Sequence, residues 1–198
     1  ALGMVPGVGD INAKKLIAHL GSASAVFAEP YHRLIQIPGI GKTIASHLCS
    51  GKFREKAAEE LDYVRKHDIG IRRFDDQDYP LRLKECPDSP LLIYIKGNVD
   101  LDRDRFISIV GTRNITRKGK DICRSIIHDL AVGFPELVIT SGLAYGVDIT
   151  AHKAALKEGL MTIAVLGHGF KTIYPGVHLP VARQIISMGA LITDFPSY

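Results

Sequence analysis

From residue 106 onward the chain alternates between short β-type runs and helical stretches, and this alternation limits the fold more than any other feature. Phe106–Val110, Leu137–Thr140, Met161–Leu166 and Ala190–Phe195 read as strands, and Lys118–Val132, Asp148–Lys157 and His178–Met188 read as helices. Such spacing predicts βαβ units, and with them an α/β domain built on a parallel sheet with right-handed crossovers. The chain stops just after the last of these strands. An open sheet edge at that point predicts a truncated domain, or one completed by something beyond it.

Two glycine-rich turns sit where ligands bind in such sheets, at the carboxyl ends of the strands. The first is Gly111-Thr112-Arg113-Asn114. It lacks the GxGxxG spacing of a dinucleotide site and the GxxxxGK[ST] of a P-loop, which argues against NAD redox chemistry and ATP hydrolysis. Two readings stay open: a phosphate held by loop amides, the Thr112 hydroxyl and the forked Arg113 cation, or a tight turn whose arginine caps a carboxylate. The second turn runs Ser141-Gly142-Leu143-Ala144-Tyr145-Gly146, then Asp148. Its small residues, Gly142, Ala144 and Gly146, either leave room for a close ligand or permit strand–helix packing. Ser141 is not in a Gly-x-Ser-x-Gly setting, so a serine nucleophile is not expected. A metal site can be drawn from Asp148, His152 and His168, but no further ligand-rich motif supports it. The alternative has Asp148 orienting the loop and His152 satisfying a buried polar group. A third loop, Gly167–Gly176, offers Lys171 and two rings. Phe170 and Lys171 are expected to make contact, and Tyr174 to pack in the turn; a cation beside aromatic faces suits single-stranded nucleic acid.

An internal repeat opens the chain. Leu2-x-x-Val5-Pro6-Gly7-Val8-Gly9 recurs as Leu34-x-x-Ile37-Pro38-Gly39-Ile40-Gly41, and the same offset aligns Ala13 with Ala45 and Leu16 with Leu48. The pattern resembles a tandem helix-hairpin-helix and predicts an all-helical domain over 1–65. Its turns can grip a nucleic-acid backbone without reading bases, with Lys14, Lys15, Lys42, Lys52, Arg54 and Lys56 to assist. Such bundles also serve as protein-interaction modules. Residues 66–105 read as a connector into the sheet domain of 106–198.

Composition narrows the setting. The formal charge of +4 over 198 residues is compatible with nucleic acid without requiring it. Three scattered cysteines form no CxxC pair, which speaks against a zinc ribbon and fits a reducing cytoplasm. No apolar run approaches the ~20 residues that span a bilayer.

Together these segments resemble the DNA-processing protein A family (DprA or Smf). The resemblance rests on Ile109-Val110-Gly111-Thr112-Arg113-Asn114-x-Thr116, Ser141-Gly142-Leu143-Ala144-x-Gly146-x-Asp148, Ala151-His152-x-x-Ala155-Leu156 and Tyr174-Pro175, with Asp78-Tyr79-Pro80 and Leu92-x-Tyr94-x-Lys96-Gly97-Asn98 upstream. It implies a Rossmann-like domain preceded by a helical domain resembling a sterile-alpha-motif or helix-hairpin-helix unit. It also implies a cytoplasmic, dimeric, non-catalytic protein without a cofactor. Such a protein binds single-stranded DNA independently of sequence, protects incoming DNA during natural transformation and loads RecA recombinase. Carried over by position, Gly111, Thr112, Arg113, Ser141, Gly142, Ala144 and Gly146 hold DNA phosphates, with Lys171 on the rim; Asn114 and Phe170 are added from their place in the loops. The rival is a nucleotide-hydrolysing enzyme of the lysine-decarboxylase-like group, but the glutamate motif of that group is absent.

Overall fold

The structure, a computed structural model, describes residues 1–103 and 105–197. Asp104, within the expected connector, and Tyr198, at the end of the expected sheet domain, lie outside the described residues. The chain divides into two compact units, one of residues 1–67 and 73–92, the other of 68–72 and 93–198.

The first unit is helical: α1 (Asp10–Leu20), α2 (Ala23–Ala28), α3 (Tyr31–Leu34), α4 (Lys42–Cys49), α5 (Lys52–Lys66) and the short α6 (Leu81–Lys84). The sequence repeat is a structural repeat. Val8 N–H donates to the Val5 carbonyl at 2.9 Å, and Ile40 N–H to that of Ile37 at 3.0 Å. Gly7 and Gly39 both take the left-handed conformation, with φ of 84° and 89°, which side-chain-bearing residues adopt only at a cost. The five aliphatic positions that define the repeat are buried in both copies: Leu2, Val5, Val8, Ala13 and Leu16 in the first, Leu34, Ile37, Ile40, Ala45 and Leu48 in the second. All ten belong to one core cluster.

The second unit carries a six-stranded sheet. Its strands are β1 (Gly70–Arg73), β2 (Leu92–Gly97), β3 (Phe106–Ser108), β4 (Val138–Ser141), β5 (Met161–Val165) and β6 (Ala190–Thr193), in the spatial order β1-β2-β6-β5-β4-β3. The strands β3 to β6 pair in parallel as the alternation predicts, whereas β2 pairs antiparallel to β6. This corrects one expectation: β6 is an interior strand, flanked by β5 and β2, so there is no open edge where the last strand ends. The stretch 66–105 is also more than a connector. It supplies β1 and β2 to the sheet, while residues 73–92 pack into the helical unit. There Leu91 N–H donates to Asp10 Oδ1 at 2.7 Å, and Lys14 Nζ donates to the Ser89 hydroxyl at 2.6 Å.

Helices α7 (Arg117–Gly133), α8 (Val147–Lys157) and α9 (Leu179–Met188) cover one face of the sheet. The side chains meeting them share that face by register, since Ile139 lies beside Thr162 and Ala164 beside Leu191. Ile139 packs with Cys123, Ile127 and the small face of α8, made by Ala151, Ala154 and Ala155. Ala164 and Leu191 pack with Val181, Ala182 and Ile185 of α9. Gly189 enters this sheet where nothing larger fits, because an added Cβ would stand 2.1 Å from the Thr162 carbonyl oxygen. The Thr116 side chain caps α7 by accepting from Gly119 N–H at 3.1 Å.

One polar group lies deep in this packing. The His152 ring is fully buried on α8, with Nε2 against the Gly142 carbonyl and Nδ1 2.7 Å from Thr162 Oγ1. Burial lowers its pKa below 6.5 and keeps it neutral. A carbonyl only accepts, so Nε2–H is the donor and Nδ1 accepts from the Thr162 hydroxyl. The exposed His128 of α7 is the opposite case: its hydrogen bond to Glu158 Oε2, 2.9 Å long, raises its pKa.

Three outcomes follow from this packing. Leu16→Ala and Leu48→Ala occupy equivalent places in the repeat and should each lower stability by about 2–5 kcal/mol in urea melts; a negligible loss at either would show that the two copies do not share one core. The two histidines give opposite pH dependences. Stability from the His128–Glu158 pair is present below the unfolded value near 6.5 and is lost as pH rises through the raised folded value, so H128Q should melt earlier than the wild type in mild acid and together with it in alkali. The depressed His152 makes the wild type lose stability as pH falls below 6.5, where the unfolded chain takes up the proton first; H152Q should show a flatter acid limb.

Candidate nucleic-acid interface

The two glycine-rich loops cross. Val147 N–H donates to the Thr112 carbonyl at 3.1 Å. Gly146 lies so close beneath the first loop that an added Cβ would stand 2.1 Å from the Thr112 carbonyl oxygen and 2.6 Å from that of Arg113, and its φ is +85°. A Cβ on Gly111 would come within 2.6 Å of the Val147 side chain. Ser141 is buried and its hydroxyl donates to the Ile109 carbonyl at 2.6 Å. Thr112 Oγ1 accepts from Asn114 N–H at 3.1 Å. Gly111, Thr112, Ser141 and Gly146 therefore build the crossing, with their close approach directed at the neighbouring loop.

This crossing projects Arg113 between two hollows. One, of about 290 Å³, is lined by Gly142 to Tyr145, Asp148, the strand end Val165 to His168, and Tyr174. The other, of about 390 Å³, is lined by Asn114, Ile115, Lys120 and Arg124 on one side and by Gly146, Ile149, Thr150 and Lys153 on the other. Arg113 and Tyr145 line both. The first hollow's floor is rigid. Asp148 Oδ2 accepts from Ala144 N–H at 3.4 Å, and His178 Nδ1–H donates to the Leu143 carbonyl at 2.7 Å. His152 holds the Gly142 carbonyl from below. At the wall, His168 Nε2 accepts from Tyr174 N–H at 3.2 Å, which leaves Nδ1–H to donate to the Gly169 carbonyl.

Asp148, His152 and His168 are thus committed to loop carbonyls, amides and Thr162, and no cluster of three metal-ligating side chains forms among the described residues. The rings differ from the sequence expectation. Phe170 is half-buried and packs with the α9 side of the core. The exposed rings are Tyr174, at 72% exposure, and Tyr145, at 49%. Lys171 is exposed but lines neither hollow. In the helical unit, Lys14 is occupied by Ser89 and Arg54 donates to the Phe27 carbonyl at 2.5 Å. Lys15, Lys42 and Lys52 are exposed.

The sequence reading missed Lys120, Arg124, Lys153 and Tyr145. One signal was available: α7 begins Arg117-Lys118-Gly119-Lys120 with no acid in its first turn. Cations there oppose the helix dipole, at about 0.3–1 kcal/mol each. Lys120 and Arg124 are also four apart, on one face. The facing Lys153 depends on how α8 packs against α7, which the local pattern does not reveal. Arg113, Lys120 and Lys153 make no ion pair or side-chain hydrogen bond among the described residues; Arg124 pairs with the exposed Asp121 at 3.0 Å.

No helix among the described residues is long and apolar enough to cross a membrane. The chain is 43% identical over 100 residues to the DNA processing protein DprA of Streptococcus pneumoniae, a match covering 50% of this chain and 34% of that protein. The X-ray structure of the S. pneumoniae protein superposes with a TM-score of 0.63 at 26% identity, covering 96% of this chain and 68% of that one. A Helicobacter pylori DNA processing protein A, solved for its single-stranded DNA binding mode, superposes with a TM-score of 0.56 at 27% identity over 65% of this chain and 56% of that one. The chain spans half or less of the length of the curated relatives it matches, from 32% to 50%. Residues 70–198, the sheet with its two crossing loops, match the profile of DNA recombination-mediator protein A, and the chain belongs to that family.

Proposed function

We propose that the crossing loops form a binding site for single-stranded DNA that grips the backbone without reading sequence. The observation that carries this reading is the Arg113 guanidinium, without an ion pair among the described residues and held between two hollows beside the exposed rings of Tyr145 and Tyr174. A forked, permanently charged cation suits phosphate oxygens, and exposed rings stack on any base. The family match and the single-stranded DNA binding mode of the H. pylori neighbour support the same ligand. In this reading Gly142 and Ala144 line the pocket, where Gly142 makes room for the Asp148 carboxylate, Asn114 and Lys171 flank the strand, and the half-buried Phe170 supports the third loop. The protein acts by binding and not by catalysis, and needs no cofactor. In the full-length protein the same surface would protect incoming DNA in natural transformation and present it to RecA in the cytoplasm, from a homodimer.

The reading is tested by fluorescence anisotropy of labelled oligo-dT at low and moderate salt, with duplex of equal length as competitor. Binding that single strands outcompete and that weakens with salt supports it; failure to bind at low salt rejects it. Arg113→Ala should lower the affinity for oligo-dT and oligo-dA alike and reduce the salt slope by about 0.7–1. Unchanged affinity would remove Arg113 from the interface. Gly146→Ala must part the two loops, so it should lower both the melting temperature and DNA affinity; a variant that melts and binds like the wild type would show that the crossing yields without moving Arg113.

A further inference from the structure

The larger hollow is not needed to explain how one arginine and two rings hold a strand, yet its chemistry is the more one-sided of the two. Arg113, Lys120, Arg124 and Lys153 converge on it, from the first loop, α7 and α8, and no acidic residue lines it. Three of these four cations have no counter-ion among the described residues. The first turn of α7 adds Arg117 and Lys118 and contains no acid. Like charges gathered around one concavity repel each other, and the arrangement is unfavourable until a polyanion enters it. The smaller hollow differs: Asp148 and His168 line it, and its one cation is the shared Arg113.

Resting on the single-stranded DNA reading above, we infer that the hollow between α7 and α8 is a second backbone-binding section of one continuous DNA track. A strand held at Tyr174 and His168 passes over Arg113 and Tyr145, the residues common to both hollows, and lays its following phosphates against Lys120, Arg124 and Lys153. The smaller hollow supplies ring faces and a neutral rim. The larger one supplies charge, with the Thr150 hydroxyl occupied in donating to the Gly146 carbonyl at 2.7 Å. The α7–α8 groove therefore sets how many nucleotides one chain engages and how steeply binding depends on salt.

The test compares the wild type, R113A and the triple variant K120Q/R124Q/K153Q. These three positions are exposed, and superimposable melts establish that the triple variant folds. Anisotropy is measured with oligo-dT of about 4 and about 16 nucleotides, which bracket known single-strand site sizes, across a salt series. For the triple variant the longer oligonucleotide should lose tenfold or more in affinity at low salt, and its salt slope should fall by about 2, or ~0.7 for each of three phosphates. The short one should change less than twofold, while R113A loses affinity for both lengths. Equal loss on both lengths would overturn the extended track, because the cations would then act on the same few nucleotides. No loss on either length, with R113A still impaired, would overturn this inference and leave the Arg113 site standing. If R113A too were without effect, the single-stranded DNA reading itself would fall and the track with it. If inorganic phosphate or thymidine monophosphate at millimolar concentration displaces the long oligonucleotide from the wild type but not from the triple variant, the hollow is a small-anion site and the track is rejected.

Discussion

The contact of Gly146 with the Thr112 and Arg113 carbonyls fixes the geometry on which the candidate site depends. A glycine at φ +85° lets the start of α8 slide beneath the first loop, and the Val147 amide then locks onto Thr112 at 3.1 Å. Any side chain there would occupy the carbonyl's space. The consequence is positional: with its backbone seated on Gly146, Arg113 has nowhere to point but outward, onto the ridge between two hollows. Ser141 acts in the same direction by tying the end of β4 to Ile109. The glycine-rich sequence is therefore explained by loop-on-loop packing, and that packing displays the side chains around it.

Charge is distributed accordingly. Some cations elsewhere on the protein have partners: Arg73 lies 3.3 Å from Asp75, and Arg103 lies 3.3 Å from Glu136. Exposed pairs of this kind contribute little to stability, but they neutralise local potential. Around the loop crossing, Arg113, Lys120 and Lys153 have no counter-ion among the described residues, so cationic charge gathers around one concave region. In a cleft with low-dielectric walls, a few uncompensated cations raise the local concentration of anions far more than net charge suggests. Net charge is a poor guide to local potential for this reason.

What was legible in the sequence follows from whether a feature is local. The repeat could be read because each copy buries the same five positions, and burial at fixed spacing leaves an apolar pattern. The parallel strands were legible through alternation with helices. The place of β2 was not: Leu92–Gly97 is a buried strand like the others, and its antiparallel pairing with β6 depends on a partner about a hundred residues on. The exposure of the two rings is not legible for a similar reason. Phe170 and Tyr174 sit in one loop with similar neighbours, and only the tertiary packing sets Phe170 against the core cluster and leaves Tyr174 in solvent. Lys153 faces Lys120 only because the alanine face of α8 allows α7 to approach closely.

The buried His152 shows why the site is rigid from beneath. A loop carbonyl turned into a core needs a donor, since burying it unpaired costs about 1–3 kcal/mol. A leucine of similar size would fill the space and leave the Gly142 carbonyl unmet. Neutral imidazole supplies one donor for Gly142 and one acceptor for the Thr162 hydroxyl, so β5 sets the ring and the ring sets the loop. Protonation would reverse one bond of this relay, because Nδ1 would become a second donor and the Thr162 hydroxyl would turn its proton to the Ile139 carbonyl, 2.8 Å away. The Thr162 hydroxyl can make that turn, so the geometry survives with one bond reversed. What acid adds is a buried charge, and the depressed pKa of His152 expresses that cost.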